Sequence, residues 1–205
     1  MFSKIIGLLS LLGALALVPL AHAQKSKADD AATLTISYAW HDGEREQMVW
    51  LNPALIAEFS TLPEGESAVK RAYPAALAEP GSRGIARIWR VDGGSVEQVL
   101  QAARAANPAG RVSPVFGDAA ADGARKRALP GGIIVAFKPD WTESRINAWA
   151  AAQGLSIASK LEIGPNVYVL KTDAGLAALT AANRIRQSGQ VVSAQPNWWV
   201  EVTTR

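Results

Sequence analysis

The last 75 residues of this chain, Gly131 to Arg205, run strand, helix, strand, strand, helix, strand, an order that admits few folds. Gly131-Gly132 open onto Ile133-Ile134-Val135-Ala136-Phe137-Lys138, a largely apolar, β-branched run suited to a buried strand. Pro139-Asp140 ends it, and Thr142 is placed to cap the helix that follows. Ile146, Trp149, Ala150 and Gln153 recur at helical spacing, and Gly154 stops the helix. Leu155 to Ile163 reads as a second strand, ended by Gly164-Pro165-Asn166. Asn166-Val167-Tyr168-Val169-Leu170-Lys171 is the third. Asp173 is the expected cap of a second helix, on which Leu176, Leu179, Ala182 and Ile185 share one face. Gly189 ends that helix, and Val191 to Val200 forms the fourth strand.

The expected fold class is therefore α+β: a C-terminal ferredoxin-like βαββαβ sandwich, an antiparallel sheet carrying both helices on one face. The half before it reads as a smaller α+β unit. Leu34 to Trp40 and Gln47 to Leu51 flank His41-Asp42-Gly43-Glu44 as a hairpin, and Ala54 to Phe59 is a further apolar run. Ile85 to Val91 is a strand, and Ser95 caps a helix with Val96, Val99, Leu100 and Ala103 on one face. Asn107-Pro108-Ala109-Gly110 ends the helix, and Arg111 to Phe116 closes the unit. Val112-Ser113 echoes Val192-Ser193, which makes this half a candidate divergent copy of the other. The expected division is a signal peptide at 1–23, a polar leader at 24–32, an N-terminal unit at 33–117, a linker at 118–130 and a C-terminal domain at 131–205.

The first segment carries the marks of export. Lys4 is followed by apolar Ile5 to Val18, then Pro19 and an Ala21-His22-Ala23 cleavage site. That apolar run is shorter than the ~20 residues a spanning helix needs, so no membrane association is expected after cleavage. The mature protein would be periplasmic or extracellular. Removing Lys4 lowers the basic count from 21 to 20, against 18 acids. So balanced a surface offers no nucleic-acid footprint, and Arg125-Lys126-Arg127, its tight basic cluster, sits in an Ala/Gly/Pro-rich stretch.

Catalytic chemistry is scarce. The chain has no cysteine and two histidines, of which His22 leaves with the signal, so His41 stands alone at an expected exposed turn. No Gly-x-Ser-x-Gly nucleophile motif accompanies it, and one histidine without thiolates does not make a transition-metal site. Gly131-Gly132 and Asp92-Gly93-Gly94 lack the Gly-Lys-Ser/Thr continuation of a phosphate loop. The expectation is a non-enzymatic protein with no cofactor and no metal. Of the seven tryptophans, adjacent Trp198 and Trp199 stand out: neighbours on a strand face opposite ways, so one can enter the core while the other faces solvent or a partner.

The run Ile134-Val135-Ala136-Phe137-Lys138-Pro139, the capped helix after it, Asn166-Val167-Tyr168-Val169-Leu170 and Ala194-Gln195-Pro196-Asn197-Trp198 together resemble the prodomain of subtilisin-like proteases, most nearly the fervidolysin type. The likeness spans Gly131 to about Val200. Trp50-Leu51-Asn52-Pro53 and Ile56-Ala57-Glu58-Phe59 are similar to the segment that precedes this prodomain in some longer bacterial subtilases. The resemblance implies a sheet that packs on surface helices of the protease and a C-terminal tail, here Val202-Thr203-Thr204-Arg205, that lies in the active-site cleft as an added strand. With Arg205 beside the catalytic serine, Val202 falls where subtilases favour an apolar side chain. Protease contacts are thus expected at Gln195, Asn197, Trp198, Trp199, Val202, Thr203, Thr204 and Arg205. The family usually has an acid where Gln195 stands, and the amide forgoes about 0.3–1 kcal/mol of charge–dipole attraction. The sequence as given shows no protease domain after Arg205, so the expected partner is a subtilisin-like serine protease met in trans. This chain would be its inhibitor, its folding chaperone or both, each following from tight binding to the native enzyme. The competing expectation is a catalytically inert envelope module that docks on an unrelated protein.

Overall fold

In the computed structural model, residues 36–60, 63, 66–80, 85–121 and 123–202 are described. The expected signal peptide and leader, the start of the first strand at Leu34, and Thr203, Thr204 and Arg205 lie outside them. The fold is α+β, with antiparallel sheets and helices at α1 (Ala68–Ala72), α2 (Val96–Ala106), α3 (Glu143–Ala152) and α4 (Leu176–Gln187). The strands are β1 (Ser37–Asp42), β2 (Arg45–Phe59), β3 (Leu77–Ala78), β4 (Ala86–Arg90), β5 (Arg111–Gly117), β6 (Lys126–Ala128), β7 (Ile133–Ala136), β8 (Ile157–Leu161), β9 (Val167–Leu170), β10 (Ser193–Pro196) and β11 (Trp199–Val200). No helix among the described residues is long and apolar enough to cross a membrane.

The C-terminal elements form a four-stranded sheet in the order β10-β7-β9-β8, with every neighbouring pair antiparallel. Strand alternation sorts its side chains. Ile133 and Val135 of β7, Tyr168 and Leu170 of β9 and Ala194 of β10 are buried in one cluster with Ile146 and Ala150 of α3 and Leu179, Ala182 and Ile185 of α4. Phe137 follows β7 and stacks on Trp141 at 5.6 Å, edge-on to Trp149 at 5.2 Å and to Tyr168 at 5.8 Å. Thr142 Oγ1 accepts the Arg145 N–H at 3.3 Å and caps α3 as the sequence implies.

Asp173 does not cap α4. Gly175 occupies that position at φ 84° without a side-chain bond, and its N–H donates to Leu129 O at 2.9 Å. The left-handed φ favours glycine at this position, where a Cβ would also lie 2.8 Å from Arg104 Nη2 of α2 and 3.4 Å from Pro114 Cδ of β5.

The N-terminal elements have the same plan. β2-α1-β3-β4-α2-β5 repeats the order of β7-α3-β8-β9-α4-β10, and β5-β2-β4-β3 repeats the spatial order β10-β7-β9-β8. Here too the helices share a cluster on one side of the sheet, Ala68 and Val69 of α1 and Val99, Leu100 and Ala103 of α2 packing on Ile56, Trp89 and Val112. The sequence reveals the β4-α2-β5 part of this unit but not α1 or β3. Gln47–Leu51 and Ala54–Phe59, which read as separate runs, are one 15-residue strand broken in register between Leu51 and Ile56. Asn52-Pro53 sits at that irregularity, where Asn52 Oδ1 accepts the Ala54 N–H at 2.9 Å.

Three further strands extend this sheet to seven: β1 pairs with the start of β2, β6 pairs with β5, and β11 pairs with β6. Two expectations are corrected by that arrangement. The 118–130 stretch is not simply a linker, because Lys126–Ala128 is a sheet strand and Asp118 binds both Arg125 and Arg127. The expected fourth strand, Val191 to Val200, divides into β10 and β11, which belong to different sheets. Pro196, lacking an N–H, ends the first piece.

Core and helices join the halves. Trp40, Val49 and Phe116 lie in the same apolar cluster as Ile133 and Ile185. Asn183 of α4 donates to Ala39 O at 2.9 Å and Arg186 to Gly43 O at 2.7 Å, so the β1–β2 hairpin covers α4. Leu129 N–H donates to Ser113 Oγ at 3.0 Å, and Ser113 Oγ donates in turn to Pro114 O at 2.7 Å.

Candidate functional site

The side of the four-stranded sheet opposite α3 and α4 is the first part of the site. Directly paired residues share a face, so Gln195, Ile134, Val169 and Ser159 form one row across the strands, and Ser193, Ala136, Val167 and Leu161 the next. Ile134, Ala136, Val167 and Val169 are only partly buried and belong to none of the apolar clusters. An apolar surface with a polar margin of Gln195, Ser193 and Ser159 remains. The sequence hides it: a run such as Ile133-Ile134-Val135-Ala136 is apolar on both faces, and alternation alone does not tell the core side from the open one.

The second part is the C-terminal corner. Asn197 N–H donates to Gly132 O at 3.1 Å, and its Nδ2 to Gly131 O at 3.3 Å. Gly132 has φ 83°, and a Cβ there would come within 3.3 Å of Val169 Cγ1 and 3.7 Å of Asn197 Nδ2, so its glycine suits both the turn and the close passage of the C-terminal segment. Trp198 packs edge-on to Trp40 at 5.5 Å and Phe116 at 5.6 Å. Trp199 faces the other way and packs edge-on to Phe59 at 6.4 Å, against Leu55, Ile88 and Val115 on the opposite side of the seven-stranded sheet. The expectation that one indole must face outward is corrected. Both sides of this sheet carry an apolar cluster, so each indole, part-exposed, has packing of its own.

Beyond Trp199 the chain is tied to β6. Glu201 N–H donates to Lys126 O at 2.9 Å, Lys126 N–H to Glu201 Oε2 at 3.4 Å, and the Lys126 ammonium meets Glu201 Oε1 at 2.9 Å. Val202 is then 87% exposed. Of the residues singled out in the sequence, Asn197, Trp198 and Trp199 are together at the corner, Gln195 lies on the open sheet face and Val202 projects beyond the tie. Lys126 and the open-face residues are the parts that sequence reasoning missed. Lys126 faces Glu201 across 75 positions, and local patterning carries no signal of that pairing.

His41 also departs from expectation. It lies within β1 rather than at the turn, its side chain is 22% exposed, and its Nε2 is 3.9 Å from Glu46. Among the described residues no group of His, Asp or Glu side chains is arranged to hold a metal ion. Glu58 is buried, but its carboxylate accepts from Ser67 Oγ, from the Ala68 N–H at 2.7 Å and from Trp89 Nε1 at 3.0 Å, and so anchors α1 to its sheet.

No curated protein and no solved structure gives a significant match to the chain. A family model does, over residues 116–197, from the end of β5 to the corner at Asn197. The matched segment takes in β6 and the whole of the four-stranded sheet with α3 and α4. That model describes the fervidolysin N-terminal prodomain, to which this segment is similar, and the match supports a propeptide-like domain here.

Proposed function

We propose that this is a non-catalytic exported protein that binds and inhibits a subtilisin-like serine protease in trans, and assists its folding through the same contact. The observation that carries the reading is the prodomain match over residues 116–197. We read β7-α3-β8-β9-α4-β10, with strand order β10-β7-β9-β8, as a ferredoxin-like sandwich and the N-terminal half as its divergent copy. On this reading Ile134, Ala136, Val167 and Val169 meet the protease surface, and the segment from Val202 enters the cleft by strand addition. Inhibition and folding assistance have one cause, because a ligand that binds the native enzyme stabilises it by mass action.

The experiment is titration of a subtilisin-type protease with purified residues 24–205, reading residual activity before digestion sets in. Stoichiometric or slow tight inhibition is the expected result. Digestion without inhibition would end the protease reading and leave a docking module in its place. Ile134→Glu and Val169→Glu each put a charge on the open face and should weaken inhibition by about tenfold or more, with the melting temperature little changed.

A further inference from the structure

The C-terminal segment leaves its own sheet before the tail begins. β10 completes the four-stranded sheet at Pro196, Asn197 and Trp198 turn the corner, and β11 joins the other sheet, antiparallel to β6. A strand of two residues has too few ladder bonds to hold an edge position by itself. Side chains make up the difference. Trp198 is seated against Trp40 and Phe116, Trp199 against Phe59, and Glu201 closes a reciprocal contact in which both its N–H and its carboxylate engage Lys126. Those partners belong to the N-terminal half or to the stretch that joins the halves. None belongs to the four-stranded sheet.

We propose that the seven-stranded sheet is the positioning device for the segment that begins at Val202, with Lys126 and Glu201 as the residues that fix where and in which direction it leaves. The inference rests on the protease reading given above. Strand addition in a cleft requires an extended segment in one register, and a segment already held at its base loses less freedom on binding. The pair suits that task because it constrains the backbone through the Glu201 N–H and the side chain through the carboxylate, one residue before the chain becomes exposed. The N-terminal half thereby acquires a part in inhibition without touching the protease.

The test uses the full mature chain and a second series lacking Val202–Arg205. Glu201→Pro removes both the N–H and the carboxylate, and it should raise the inhibition constant of the full chain about tenfold or more. Lys126→Glu should raise it about two- to fivefold, in keeping with a part-exposed ion pair, and the exchange Lys126→Glu with Glu201→Lys should restore it to within about twofold. In the shortened series, binding to the protease through the open sheet face should be the same with and without these substitutions. Equal losses in both series would mean that the pair acts through general stability, and would overturn the proposal. So would unchanged inhibition by Glu201→Pro and Lys126→Glu while the unaltered protein inhibits. Failure of the unaltered protein to inhibit would be a different result, removing the protease reading and this inference with it.

Discussion

Asn166 shows how much a single side chain settles in this fold. It has φ 54°, a left-handed conformation at a residue that is not glycine, between the Gly164-Pro165 turn and β9. Its side-chain Nδ2 donates to Lys138 O at 3.1 Å and Trp141 O at 2.8 Å, while its backbone carbonyl accepts the Phe137 N–H at 2.9 Å. The side chain thus ties the β8–β9 turn to the start of α3 and to the aromatic group of Phe137, Trp141, Trp149 and Tyr168. Asn166→Ala should cost roughly 1–3 kcal/mol, from two lost hydrogen bonds and the left-handed strain together. Asn166→Gly keeps the conformation and loses only the bonds, so it should be the milder change, with urea denaturation of the two variants giving the comparison. The sequence announces a turn at Gly164-Pro165-Asn166, because these residue types have few other uses in succession. It does not announce the long-range acceptors, which depend on a loop more than twenty positions earlier.

At the scale of elements, β6 is held by charge as well as by its ladder. Partial burial pushes the Asp118 carboxyl upward, but hydrogen bonds from Arg127 and Arg125 and their charges outweigh that and hold it below the ordinary carboxylate range. A depressed acid contributes stability above its unfolded pKa of about 3.9 and loses it as the pH falls through the folded value. The urea midpoint should therefore be flat near neutrality and fall below about pH 4, and Asp118→Asn should remove part of that fall. Elements with strong periodicity and ordinary caps, such as α2, α3 and β9, are legible in the sequence. Those that depend on partners elsewhere are not: α1 has five residues and leans on the buried Glu58, β3 and β11 have two each, and β6 is a sheet strand set in a charged Ala/Gly stretch. The open face is illegible for a related reason, since a strand apolar on both sides does not reveal which one stays uncovered.

Across the whole molecule, the halves share one apolar cluster that runs from Trp40 and Phe116 to Ile133 and Ile185. Either half alone would expose its part of that cluster, so heat should unfold both in a single transition, with equal calorimetric and van't Hoff enthalpies. Two separated transitions would show that the halves are thermodynamically independent. The hairpin laid over α4 has a further consequence. Arg186 holds the Gly43 carbonyl on the helix side of the four-stranded sheet, away from the row of Ile134 and Val169. Because the chain has no cysteine, Glu44→Cys would place one thiol at that turn. A molecule coupled to a solid support through it would present its apolar sheet outward in every copy, a uniformly oriented capture surface.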